Sequence, residues 1–141
     1  MKPVPRMLLE FIDQHDCFYI VGHREPDGDC IGSQLSLASM LQGMGKRVHV
    51  LSSGPFNRIE ILPFESRFKS DVPAERDFER TAALVLDCSS MSRIGAVAEK
   101  MPNIPVAFID HHATKGACGP YDWIDESAPA VSAMILILME T

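Results

Sequence analysis

Apolar residues in this chain fall into short unbroken runs and into stripes of helical spacing, and three of the runs stop at acidic or histidine residues. Residues 18–22 lead into His23-Arg24-Glu25-Pro26-Asp27-Gly28-Asp29, residues 82–86 into Asp87, and residues 106–109 into Asp110-His111-His112. Unbroken apolar runs of this length fit strands covered on both faces, as in parallel sheets. A strand that ends at a carboxylate carries it to the rim of the sheet, and parallel strands bring all three clusters to one rim. The expectation is a polynuclear metal site at that carboxyl edge.

Helical stripes separate the runs. Met7, Leu8, Phe11 and Ile12 recur at helical spacing over residues 6–15, ahead of a strand at 17–21 that ends at Gly22. Ile31, Leu35, Ala38 and Leu41 share one face of a helix over 31–41, and Gly43 and Gly45 stop it before a second strand at 47–51. Such a unit favours a parallel, right-handed strand pair with the loop at the carboxyl end of its first strand. Residues 53–80, broken by Pro55, Pro63 and Pro73, read as short helices and surface turns. Strands at 82–86 and 106–109 flank a helix over 93–100, residues 121–124 add a short strand, and 130–139 form a helix with a buried face. The fold predicted is α/β: a Rossmann-like three-layer domain with a mostly parallel sheet and the site at the C-terminal edge of the strands.

Composition narrows the partners. The 141 residues, 46% hydrophobic, suit one domain with an ordinary core and show no internal repeat or linker. A net charge of −6 argues against a broad basic surface for long nucleic acid and leaves small or short anionic substrates. Cys17, Cys30, Cys88 and Cys118 form no CxxC pair or regular framework, so reduced thiols in a cytoplasmic protein are expected. No signal segment is visible, and the longest apolar stretch, 128–139, is too short and interrupted for a bilayer, so no membrane role is expected.

Chemistry concentrates in the three clusters. In a loop closed by Pro26 and Gly28, the side chains of His23, Asp27 and Asp29 can all turn inward, while a helix starting near Ile31 aims its amide dipoles at the same space. The plainer alternative is a turn at Asp27-Gly28 with Asp29 as a helix cap. Three ligand-type residues within seven positions favour the metal. Asp87, likewise a cap candidate with Ser89 and Ser90 beside it, can bridge two cations about 3.5–4 Å apart. Adjacent imidazoles at His111 and His112 can point different ways, one to metal and one to substrate. His15 and His49 read as structural, and Ser33, Ser89 and Ser90 as caps, since none sits in a Gly-x-Ser-x-Gly elbow. A zinc or thiol redox site on Cys30 and Cys88 is a weaker alternative.

His23-xxx-Asp27-x-Asp29, then Asp87, then Asp110-His111-His112 resemble the first three motifs of the DHH phosphoesterase family. Residues 28–34, Gly-Asp-Cys-Ile-Gly-Ser-Gln, resemble that family's first loop and helix start, and Trp123-Ile124-Asp125 followed by 130–134 resembles the stretch beyond the third motif. The likeness covers nearly the whole chain and points to the branch of short-oligonucleotide exonucleases that also dephosphorylate 3′-phosphoadenosine 5′-phosphate; related branches hydrolyse cyclic dinucleotides or pyrophosphate.

The resemblance implies a metal-dependent hydrolase with two divalent cations, manganese first, magnesium or another ion next. His23, Asp27 and Asp87 would hold one cation, and Asp29, Asp87 and His111 the other. His112 would contact the scissile phosphate, Asp110 would orient an imidazole by hydrogen bond, and Arg93 would approach substrate unless it is simply an exposed helix charge. Substrates would be small phosphorylated nucleotides or short single-stranded RNA or DNA, and a homodimer is compatible with this reading. Relatives carry a fourth motif and a C-terminal substrate-binding domain, and residues 1–141 end before both, so they are expected to be an incomplete N-terminal catalytic domain. An exposed apolar face on the last helix would then follow. A metal- or nucleotide-binding module without catalysis is the alternative. Lys115 stands where relatives often have asparagine, and Cys30 where alanine is common.

Overall fold

The computed structural model describes residues 1–73, 79–113 and 119–141; Lys115 and Cys118 lie outside them. Five parallel strands form one sheet: β1 (Cys17–Val21), β2 (Arg47–Leu51), β3 (Thr81–Leu86), β4 (Val106–Asp110) and β5 (Trp123–Ile124). Their spatial order is β2-β1-β3-β4-β5. The chain leaves β1 towards β2 on one side and returns to β3 on the other. In such doubly wound sheets the crevice lies where the direction reverses, outside the carboxyl ends of the strands. That places it between β1 and β3.

Both faces of the sheet are covered, as the unbroken runs imply: every residue of β1 and β3 is buried. Phe18, Ile20, Leu84, Leu86 and Ile109 point to a core shared with α1 (Arg6–Gln14), α2 (Gly28–Gly43) and α4 (Val131–Met139). Tyr19, Val21, Val85 and Leu51 point to a second core with Ile94 and Val97, the latter in the short helix α3 (Val97–Lys100). Alternate residues of one strand serve opposite layers, which gives the three-layer α/β domain the pattern predicts.

Local differences from the sequence reading have physical causes. In α1 Leu8, Phe11 and Ile12 are buried while Met7 is turned to solvent. Helix α2 begins at Gly28 rather than near Ile31, because the Asp27 carboxylate accepts from the Cys30 N–H at 3.0 Å and caps the first turn. Its buried stripe also takes in Gln34, whose amide donates to the carbonyls of Ile20 at 3.1 Å and Leu51 at 3.0 Å and so ties together the ends of β1 and β2. The helix expected over 93–100 divides into a 3₁₀ turn at Met91–Arg93 and α3. Gly95 separates them with φ 93°, and a β-carbon there would lie 2.9 Å from that of Ser53. Among the described residues of 53–80 one 3₁₀ helix forms, Leu62–Arg67. Among the described residues no helix is long and apolar enough to cross a membrane. Leu136 and Met139 of α4 are exposed.

Candidate metal centre

Three strand ends deliver the clusters to the crevice. His23 and Asp27 follow β1, Asp29 lies in the first turn of α2, Asp87 follows β3, and Asp110, His111 and His112 end or follow β4. Parallel pairing aligns these ends: Val21 lies opposite Val85, and the Asp87 N–H donates to the carbonyl of Ile109 at 3.0 Å.

Asp87 is the hub. Its Oδ2 lies 3.1 Å from His23 Nε2, and its Oδ1 lies 3.5 Å from His111 Nε2 and 3.9 Å from His112 Nδ1. Asp29 Oδ2 is 3.7 Å from His111 Nε2, and Asp27 Oδ1 is 3.9 Å from His23 Nε2. The backbone at Asp87 is left-handed, φ 64°, a conformation that a β-carbon disfavours by roughly 1–2 kcal/mol. Strain of this kind persists where the surroundings dictate it, and here it turns the carboxylate back between two imidazoles.

The histidines are oriented by their other nitrogens. His23 Nδ1 donates to the Arg24 carbonyl at 2.8 Å, His111 Nδ1 to the Ala128 carbonyl at 3.3 Å, and His112 Nδ1 to Asp110 Oδ1 at 2.7 Å. Each bond leaves Nε2 as the outward nitrogen, the arrangement by which acceptors behind a ring fix its tautomer for metal binding. For His23 and His111 those Nε2 atoms converge on Asp87. The His112 side chain is 57% exposed and stands at the open side.

Electrostatics favour a cation. Asp87 Oδ1 and Asp110 Oδ2 are buried with no hydrogen-bond partner among the described residues. A buried carboxylate oxygen without a donor is costly and is a place for a positive ion. Burial and the neighbouring charges of Asp29 and Asp27 push the Asp87 carboxyl up, against the hydrogen bond from His23 that pulls it down. The hydrogen bond to Asp87 lifts His23 to about 11, so without metal the pair keeps a proton between them. Asp29 is raised by burial, but hydrogen bonds from the Ser132 and Val131 N–H groups outweigh that and leave it below the ordinary carboxylate value. Two overlapping sets of donor atoms each lie within 4.8 Å of one another: Asp87, Asp110, His111 and His112, and His23, Cys30 and Asp87. The unpartnered carboxylate oxygens and the imidazole nitrogens converging on Asp87 fit a divalent metal.

Other candidates fall out or shift. His15 Nδ1 bonds the Phe11 carbonyl at 2.6 Å, and His49 stacks on Tyr19 with centroids 5.2 Å apart; both lie outside the centre. Ser33 is buried, its hydroxyl bound to the Asp29 carbonyl. Cys30 and Cys88 are buried thiols outside any disulfide. Cys30 stands beside His23, whereas Cys88 packs in the second core, where burial pushes it up to about 12 and keeps it protonated. That disfavours the paired-thiolate reading. Arg93 is exposed but lines, with Asp87, Ser90 and His112, a cavity of about 120 Å³. Missing from the sequence reading were the Ala128 carbonyl behind His111 and the second duty of Asp29: its two oxygens accept from the Val131 N–H at 3.0 Å and the Ser132 N–H at 2.9 Å, capping α4. Neither leaves a sequence signal, because both arise from packing across more than a dozen residues.

Fold and site together define a doubly wound α/β protein with a carboxylate–imidazole centre at its switch point. Residues 17–141 match the family described as DHH family, N-terminal domain, and the chain belongs to that family. It is 32% identical over 123 residues to the bifunctional oligoribonuclease and PAP phosphatase NrnA of Thermus thermophilus, covering 86% of this chain and 36% of that protein. Among solved structures it superposes on an exopolyphosphatase-related protein from Bacteroides fragilis with a TM-score of 0.75 at 21% identity, covering 94% of this chain and 42% of the other. RecJ from Thermus thermophilus, solved in complex with Mn2+, gives 0.54 at 18% identity, over 94% and 19%. The chain spans 36% to 41% of the length of the curated relatives it matches.

Proposed function

We propose that residues 1–141 are the N-terminal catalytic domain of a metal-dependent phosphoesterase acting on short oligonucleotides, 3′-phosphoadenosine 5′-phosphate, or both. The observation that carries this is the Asp87 carboxylate, buried, left-handed and set between imidazoles, with one oxygen lacking a donor. His23, Asp27 and Asp87 hold one divalent cation; Asp29, Asp87 and His111 hold a second. Manganese is the first choice of ion and magnesium the next, since mixed carboxylate and imidazole donors accept both. When bound, such ions lower the pKa of water and offset charge on phosphoryl oxygens.

The chain's own side chains do the rest. His112 presents Nε2 to the open side and, when protonated, donates it to a phosphoryl oxygen, with Asp110 holding the ring through Nδ1 and stabilising its charge. Arg93 lines the same cavity and supplies a second positive contact to the phosphate. Asp29 keeps α4 in place while presenting its carboxylate to His111, so helix packing and the metal site share one residue. The printed activities of the Thermus thermophilus relative, oligoribonuclease and PAP phosphatase, support this substrate class.

The test is hydrolysis of 3′-phosphoadenosine 5′-phosphate and of a short RNA with Mn2+, alongside metal stoichiometry, for the wild type and Asp87→Asn. A fall in turnover beyond about 100-fold with loss of bound metal is expected, since even partners behind the ligands are worth about 10–100-fold. Unchanged turnover and stoichiometry in the variant would refute the assignment. The alternative reading is a metal- and nucleotide-binding module. Metal-dependent nucleotide binding without turnover selects it.

A further inference from the structure

Beside the loop that follows β1, residues 52–56 together with Glu65, Phe68 and Ser70 wall a cavity of about 510 Å³, within the range of about 300–1,000 Å³ usual for small-molecule sites. Ser52, Phe56, Glu65, Phe68 and Ser70 line it. The Phe56 and Phe68 rings are half-buried, with centroids 5.4 Å apart and planes tilted by 54°. Among the described residues no lysine, arginine or histidine lines it, and the one charged group is the exposed Glu65 carboxylate. Such a lining repels phosphate and suits a planar, uncharged ring that carries N–H donors.

Its position ties it to the reacting phosphate. The Gly54 carbonyl in its wall accepts from the Glu25 N–H at 3.0 Å, within the loop that carries His23 and Asp27. Ser53 Oγ accepts from the Val97 N–H at 2.9 Å, and Arg24 N–H donates to the Arg93 carbonyl at 2.8 Å, so wall, motif loop and the Arg93 turn form one connected rim. We propose that this cavity seats the base of the nucleotide whose phosphate lies at Asp87. One of the two phenyl rings stacks on the base while the other meets its edge, and Glu65 accepts from its exocyclic amino group, favouring adenine, guanine or cytosine over uracil. The proposal rests on reading the Asp87 rim as a phosphoester site.

The experiment is equilibrium binding, with Mn2+ present, of AMP, UMP and ribose 5-phosphate to the wild type and to Phe56→Leu, Phe68→Leu, Glu65→Gln and Asp87→Asn. Leucine keeps apolar volume and the fold, verified by circular dichroism, but cannot stack. AMP should bind about tenfold tighter than ribose 5-phosphate, in line with the usual worth of base stacking. The leucine variants should lose that advantage with ribose 5-phosphate affinity unchanged, and Glu65→Gln should bring the AMP to UMP ratio towards one. Equal affinities for all three ligands, or an AMP advantage that survives both leucine variants, overturn the base pocket while leaving the phosphate site intact if Asp87→Asn still weakens every ligand. Ribose 5-phosphate binding that is indifferent to Asp87→Asn overturns the phosphoester reading itself, and the pocket proposal with it.

Discussion

Replacing Asp29 by alanine separates the structural duty of this residue from the metal-binding role proposed for it. Its two oxygens are the acceptors for the first two N–H groups of α4, at 3.0 Å and 2.9 Å. Helix α4 has no cap of its own, because Ala130 occupies the N-cap position with no side-chain hydrogen bond. Losing a carboxylate cap costs about 1–2 kcal/mol, and loss of its interaction with the helix dipole adds roughly 0.3–1 kcal/mol. Relief of repulsion with Asp27 and Asp87 returns part of this, so the net loss is about 2 kcal/mol. For a chain of this size that lowers the melting temperature by about 8 °C. Asparagine keeps one acceptor oxygen and should lose about half as much. The assay is thermal unfolding followed by far-ultraviolet circular dichroism in excess chelator. Because the folded Asp29 pKa lies below its unfolded value of about 3.9, the stabilisation is present above that pH and disappears as the pH falls through the folded value. The wild type and the alanine variant should therefore converge in acid. An alanine variant melting within about 1 °C of wild type at pH 7 would refute the capping role, whatever happens to metal binding.

Gly22→Ala should destabilise the fold by about 1–3 kcal/mol, read from urea unfolding, because the added β-carbon would lie 2.2 Å from Cys30 Sγ and 2.6 Å from Gln34 Oε1; an unchanged midpoint would mean that α2 moves away freely. In chelator, Asp87→Ala should be less stable than Asp87→Asn by roughly 1 kcal/mol, since asparagine tolerates the left-handed backbone at φ 64° better than alanine. Equal stabilities would argue against that conformation. Mn2+ must displace the proton that His23 retains up to about 11, so affinity measured by calorimetry should rise about tenfold per pH unit between 7 and 9, with one proton released; a flat profile would count against His23 as a ligand. In the metal-free protein the same raised value stabilises the fold fully below about 6.5, the unfolded pKa, and that contribution is lost as the pH rises through about 11.

Much of the site was legible along the chain, and the reason is local. An apolar run needs only its own residues to declare a strand buried on both faces, and the residue that stops it must stand at the strand's end. The runs ending at His23, Asp87 and Asp110 therefore set these side chains at strand ends, where the sheet brings them together, and the strand at 47–51 has the bounds read from the sequence. Tertiary structure alone decided what depends on partners distant in sequence. The order β2-β1-β3-β4-β5 sets which ends meet. Asp29 became the cap of a helix 102 residues away, Ala128 the acceptor that turns His111, and Gln34 a buried clasp between two strands. Phe56 and Phe68 lie together because Lys69 pairs with the end of β2 and brings its neighbours back beside residues 52–56. Periodicity records how a segment meets a core; it carries no trace of which distant backbone groups will complete its hydrogen bonds.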